Sequence, residues 1–130
     1  MSLHETPILK RFWQKIGGIL IEEFPAVRKA SDRGPRYIDG VIIRSNEKRL
    51  AASHEVSLRG EHITVVQVKT GRLGMYLMGQ ALFSIDLMRA FEPASIESVA
   101  LCEQDDAVMR PLFERYPNCR VVTLADLENK

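Results

Sequence analysis

The sequence predicts an α/β fold: one domain spanning 1–130, with a mixed central sheet of about five strands flanked by helices. Three observations predict it. Apolar residues recur at helical spacing in two long stretches, 5–24 and 74–91. β-Branched runs bounded by Gly, Asn and Ser read as strands, above all 63–69, which is β-branched at almost every position. Two later strand-like runs, 96–102 and 120–124, alternate with helices, which places them parallel to a neighbour through crossovers.

Taken in order, the first helix covers 5–24. Thr6 is placed to cap it and Pro7 suits its first turn. Ile8, Leu9, Phe12, Trp13, Ile16, Ile19 and Leu20 form one stripe, and Pro25 ends the helix. Gly17-Gly18 interrupts it and permits close approach of another element. At 100° per residue Glu23 falls on the stripe and Glu22 points to the polar side. A carboxylate on that stripe needs a cation or a donor, unless the helix end frays into water.

A basic loop over 26–35 leads to the first strand, 37–44. The Ser45-Asn46-Glu47-Lys48 turn makes a hairpin to a weaker strand over 50–58, and Arg59-Gly60-Glu61 turns into the third strand. His54 reads as a surface residue. The 74–91 helix is apolar nearly all round, so heavy cover is expected, with its methionines as core filling. Asp105 and Asp106 cap a third helix over 107–116, in which Pro111 implies a late start or a kink. The last six residues read as a polar tail or short turn. The order is α-β-β-β-α-β-α-β, with the first three strands as a meander.

Composition narrows the function classes. No apolar run approaches the roughly 18 residues of a membrane helix, and no signal peptide is visible, so a cytoplasmic protein is expected. Cys102 and Cys119 lie far apart without metal-ligand spacing, so buried reduced thiols are expected. The net charge of +1 gives no overall field, but Arg28 to Arg72 holds 10 basic and 5 acidic residues. Such a patch suits a polyanion; a solvated face is the alternative.

The polar residues inside apolar strands carry the chemistry. In His62-Ile63-Thr64-Val65-Val66-Gln67-Val68-Lys69, alternation places Ile63, Val65, Gln67 and Lys69 on one side and Thr64, Val66 and Val68 on the other. Gln67 and Lys69 need partners if buried. Asp39 interrupts the preceding apolar strand in the same way. Two neighbouring strands with misplaced polar groups suggest one shared site. A plain ion pair between Asp39 and Lys69 is the alternative.

Helix acid Glu23, strand acid Asp39, then Gln67-Val68-Lys69 ending a strand that runs into a helix: this resembles the PD-(D/E)XK nuclease superfamily. The likeness covers roughly residues 5–102 and implies a restriction-endonuclease-like αβββαβ core, the last helix and strand being an extension. Two departures stand out. Gly40 follows Asp39 with no proline directly before it, and Gln67 stands where the family has its second acid. Gln-x-Lys variants with an extra acid on the first helix look like the endonuclease subunit of some bacterial transposons. Gln80 is similar to the glutamine on the following helix of exonuclease-type members.

The resemblance implies phosphodiester hydrolysis of nucleic acid, DNA sooner than RNA, with Mg²⁺ or Mn²⁺ held by Asp39, Glu23 and Gln67. Lys69 would orient or deprotonate the water, or stabilise the charged transition state. Arg36, Tyr37, Arg72 and Gln80 would bind substrate. Replacing a carboxylate by Gln67 removes one negative charge, so metal binding weaker than with three acids is expected. A chain this short leaves specificity to a partner, a homodimer or a larger complex. A binding module on the same fold, for nucleic acid or protein and without cutting, is the rival reading.

Overall fold

The computed structural model describes residues 1–128. The chain runs α1 (Glu5–Ile16), β1 (Gly18–Val27), β2 (Arg36–Ile43), β3 (Lys48–Leu50), β4 (His62–Arg72), α2 (Met75–Met88), β5 (Ser95–Gln104), α3 (Met109–Glu114), β6 (Cys119–Val122) and α4 (Leu124–Glu128). Short 3-10 turns at Ser53–Glu55 and Arg89–Phe91 complete it. Among the described residues six strands form one mixed sheet, ordered β3-β1-β2-β4-β5-β6. β1, β2 and β4 are antiparallel; β4, β5 and β6 run parallel. The expected α/β class and mixed sheet flanked by helices are therefore present, with one strand more.

The extra strand lies where a helix was expected. α1 stops at Ile16 because Gly17 and Gly18 both take positive φ, 72° and 89°, which reverses the chain. Trp13 fastens the corner by donating its indole N–H to the Gly18 carbonyl at 2.8 Å. The close approach expected at this pair occurs at Gly18, where a Cβ would stand 2.5 Å from the Ile43 carbonyl oxygen. From Gly18 on, the apolar residues change period from helix to strand. Thr6 does not cap α1: the residue before the helix is His4, without a side-chain cap, and the Glu5 N–H instead donates to the Ser2 hydroxyl at 3.3 Å.

The meander survives with different members: β1, β2 and β4. The run after the Ser45–Lys48 turn forms only three residues of strand, β3, and these pair parallel with β1 rather than in a hairpin with β2. Both sides of β2 are already taken.

Helices cover both faces. α1 packs Ile8, Leu9, Phe12 and Trp13 against Leu20, Ile42, Val66 and Val68. On the other face Leu77 and Ala81 of α2 and Phe113 of α3 meet Ala100, Cys102 and Val121, while Ile63 and Val65 join Ile21, Ile38 and Met88. The alternation expected along β4 holds. The expected cover of α2 does not. Met75, Tyr76 and Phe83 are 75%, 69% and 64% exposed, because the sheet buries only one side of the helix.

Cys102 and Cys119 are both free thiols and buried, and burial pushes Cys102 up to about 11. α3 starts late, as Pro111 implies. Asp106 accepts from the Val108 and Met109 N–H groups at 2.9 Å each, so Pro111 falls in the first turn, where its missing N–H is harmless. Those two bonds hold the Asp106 carboxyl below its ordinary value. Asp105 pairs instead with Arg110 at 2.9 Å. Of the expected polar tail, 125–128 belongs to α4; Asn129 and Lys130 lie outside the described residues.

Candidate functional site

β2 and β4 pair only from Gly40↔Val66 to Ile43↔Ile63. Before Gly40, β2 pairs with β1 alone; beyond Val66, β4 pairs with β5 alone. The two strands therefore fork, and Asp39 and Gln67 are the first residues past the split. A fork leaves main-chain groups without a ladder partner. Asp39 supplies one: its Oδ2 accepts from the Val68 N–H at 2.8 Å. The acid of β2 is thereby tied to the middle of Gln67-Val68-Lys69. Gly40 matters here for close packing, since a Cβ would stand 2.9 Å from Leu9 of α1.

Asp39 is partly buried, and burial holds its carboxyl above the ordinary value; the Val68 N–H opposes that shift, and the charges of Glu23 and Glu5 add to it. Glu23 reaches this neighbourhood from β1, not from a helix. It has φ 52°, a left-handed conformation in mid-strand, between the pairs Glu22↔Gly40 and Phe24↔Ile38. Its side chain is 46% exposed and pairs with the Met1 ammonium at 3.0 Å. That ammonium is held above its ordinary value, first by the bond to Glu23 and in smaller part by the charge of Asp39. Glu22, expected to face away, instead meets Lys10 of α1 at 3.8 Å.

Gln67 is buried and turns toward α2. Its Nε2 donates to the Ser84 hydroxyl at 3.0 Å, and Ser84 donates to the Gln80 carbonyl at 2.7 Å. Lys69 is exposed, its ammonium 5.2 Å from the centre of the Tyr76 ring, a cation–π contact. No ion pair joins Asp39 to Lys69 among the described residues. The single shared site expected for Asp39, Gln67 and Lys69 is not formed. Asp39 and Glu23 share one electrostatic neighbourhood on the α1 side. Gln67 and Lys69 turn to α2 on the other, because successive residues of β4 alternate faces, and only the Asp39–Val68 bond joins the two.

On the α2 side the fork opens into a groove of about 910 Å³. Arg36, Tyr37, Gln67 and Gln80, all singled out in the sequence, line it together. Arg72 does not; it donates to the Asp105 carbonyl at 2.6 Å, near the start of α3. The groove also holds Tyr76 and Phe83, which sequence reasoning missed. Their spacing of seven on an all-apolar helix was a usable signal, since it repeats one face that the sheet need not cover.

Asp39 and Glu23 accept positive charge, the Met1 ammonium being the cation that both feel. No group of three or more His, Cys, Asp or Glu side chains is arranged to hold a metal among the described residues. Magnesium rarely needs one: it keeps water and takes one or two carboxylates, completing its shell from phosphate oxygens. Gln67, bound to Ser84, stands apart from Asp39 and Glu23. Compared with known proteins, the chain matches no family model, no curated protein and no solved structure.

Proposed function

We propose that this domain is a metal-dependent nuclease that hydrolyses phosphodiester bonds in nucleic acid. The observation that carries the reading is the clasp at the fork, where Asp39 binds the amide of Val68 between Gln67 and Lys69. The Asp39 carboxylate on the α1 side and the Lys69 ammonium on the α2 side flank the strand end where β2 and β4 part. Asp39, with Glu23 beside it, would hold Mg²⁺ or Mn²⁺, which supplies charge neutralisation and an acidic bound water. Asp39 orients the site through its hold on β4. Lys69 lies on the α2 side against Tyr76, so it would bring positive charge to a phosphate held at Asp39 only by swinging around the strand end. Gln67 anchors the strand end to α2 and offers its amide to the groove.

A second reading, nucleic-acid binding without cutting, is favoured by one specific feature: Gln67 replaces a carboxylate and is committed to Ser84. Cleavage assays separate the two. DNA and RNA oligonucleotides are incubated in Mg²⁺ or Mn²⁺ with the parent, Asp39→Asn and Lys69→Ala. Cutting by the parent that both substitutions abolish supports the nuclease. Salt-sensitive binding with no cutting in either metal supports the binding module.

A further inference from the structure

We propose that the groove along α2 is a stacking platform for single-stranded nucleic acid, bases lying on Tyr76, Phe83 and Tyr37. This deepens the nuclease reading and rests on it for the orientation of the strand toward the fork. Three large rings face one concavity, each more than half exposed: Tyr37 55%, Tyr76 69%, Phe83 64%. None of the three stacks on another ring, and Tyr76 has only Lys69 above it. Rings left open to water in a concave groove mark a binding surface rather than core.

The geometry along the helix suits a strand. Tyr76 and Phe83 are seven residues apart on α2, two turns or about 10 Å, so they share a face. That spacing spans a few nucleotides. Tyr37 rises from β2 on the opposite wall.

Charge selects the occupant. Arg36 lines the groove and Lys69 touches its Tyr76, and neither has a carboxylate partner among the described residues. The loop leading into β2 adds exposed Arg28, Lys29 and Arg33, the last paired with Asp32. The groove's one acid, Asp86, is matched by Arg89 at 3.6 Å. Phosphates beside the cations and bases on the rings use both features at once. A second copy of the chain docked face to face would offer Arg36 and Lys69 from its own groove only Asp86, already paired with Arg89. A duplex keeps its bases stacked inside, out of reach of side-chain rings, so the strand must be single.

The test is binding without metal, so that no cutting is needed. Fluorescence anisotropy in EDTA at low salt compares a labelled dT oligonucleotide with a hairpin duplex of equal length. The parent should bind the single strand at least about fivefold more tightly. Tyr76→Ala and Phe83→Ala should each weaken that binding about fivefold or more, while Tyr76→Phe stays near the parent. Both positions are on the surface, and circular dichroism confirms that each variant is folded. Equal affinity for duplex and single strand overturns the proposal. So do alanine variants that bind as the parent does. So does a parent dimer, seen by sedimentation, that Phe83→Glu dissociates, since that makes the face a self-association surface. Cutting in Mg²⁺ is scored separately: a nuclease with unchanged alanine variants loses the platform and keeps the activity. Stacking-dependent binding with no cutting keeps the platform and loses the activity.

Discussion

A carboxylate placed as Asp39 is held works against the fold at neutral pH. Burial, with the charges of Glu23 and Glu5, raises its pKa in the native state. A group raised on folding adds stability below its unfolded value and loses it as pH climbs through the folded value. Asp39→Asn keeps an acceptor for the Val68 N–H and removes the charge. Its melting temperature should exceed the parent's by a few degrees at pH 7, and the gain should vanish below about pH 4, read by thermal scans across pH. The same substitution should abolish cutting, the pattern of a group kept for function at the cost of stability. Glu23 makes a parallel case through its backbone. A non-glycine residue in the left-handed region costs roughly 1 kcal/mol. Glu23→Gly should therefore be about 1 kcal/mol more stable than Glu23→Ala in urea unfolding, the lost ion pair cancelling between them. If the two unfold alike, the strain argument fails.

At the scale of elements, what was legible followed from periodicity. β4, α2 and β5 came through because their patterns are long and pure, and the two sides of β4 were read correctly from alternation alone. β1 was hidden because apolar spacing before and after Gly17-Gly18 fits a helix stripe equally well. Only the reversal at two positive-φ glycines ends it, and that is a backbone event rather than a pattern. Losing β1 displaced Glu23, which was expected on a helix and lies on a strand opposite Asp39. The exposed side of α2 was unreadable for a related reason: an all-apolar helix does not say how many neighbours it has. At the site, the residue types were visible but their directions were not. Gln67 turns to Ser84, a partner 17 positions away that no spacing rule links to it. Cys102 and Cys119 matched expectation, and their burial has a test. In native protein a thiol reagent should modify them far more slowly than in denaturant, since the thiolate is suppressed at both.

For the whole molecule, the reading is of two functional faces meeting at one fork: acids toward α1, rings and cations toward α2. A cation that binds the native acids and not the unfolded chain must stabilise the fold. Mg²⁺ or Mn²⁺ at about 100 times its Kd should add roughly 2.7 kcal/mol, and Asp39→Asn should lose that increment. Calorimetry reads it without substrate. No shift with either ion at tens of times the usual assay level would remove the metal from the proposal. No described helix is long and apolar enough to cross a membrane.

The outer margin of the sheet ends on β6, and α3 closes it with side chains. Glu114 accepts from the Val121 N–H at 3.0 Å, and Arg110 donates to the Val121 carbonyl at 3.2 Å. Arg110 is itself gripped by Asp105 and Asp126, at 2.9 and 3.1 Å. A bare strand margin is a template on which further chains polymerise. Here the template is blocked at Val121, and the opposite margin is only three residues long, two of them Lys48 and Arg49. Unblocking it with Arg110→Ala and Glu114→Ala together should seed fibre growth at concentrations where the parent stays dispersed, followed by light scattering and an amyloid dye.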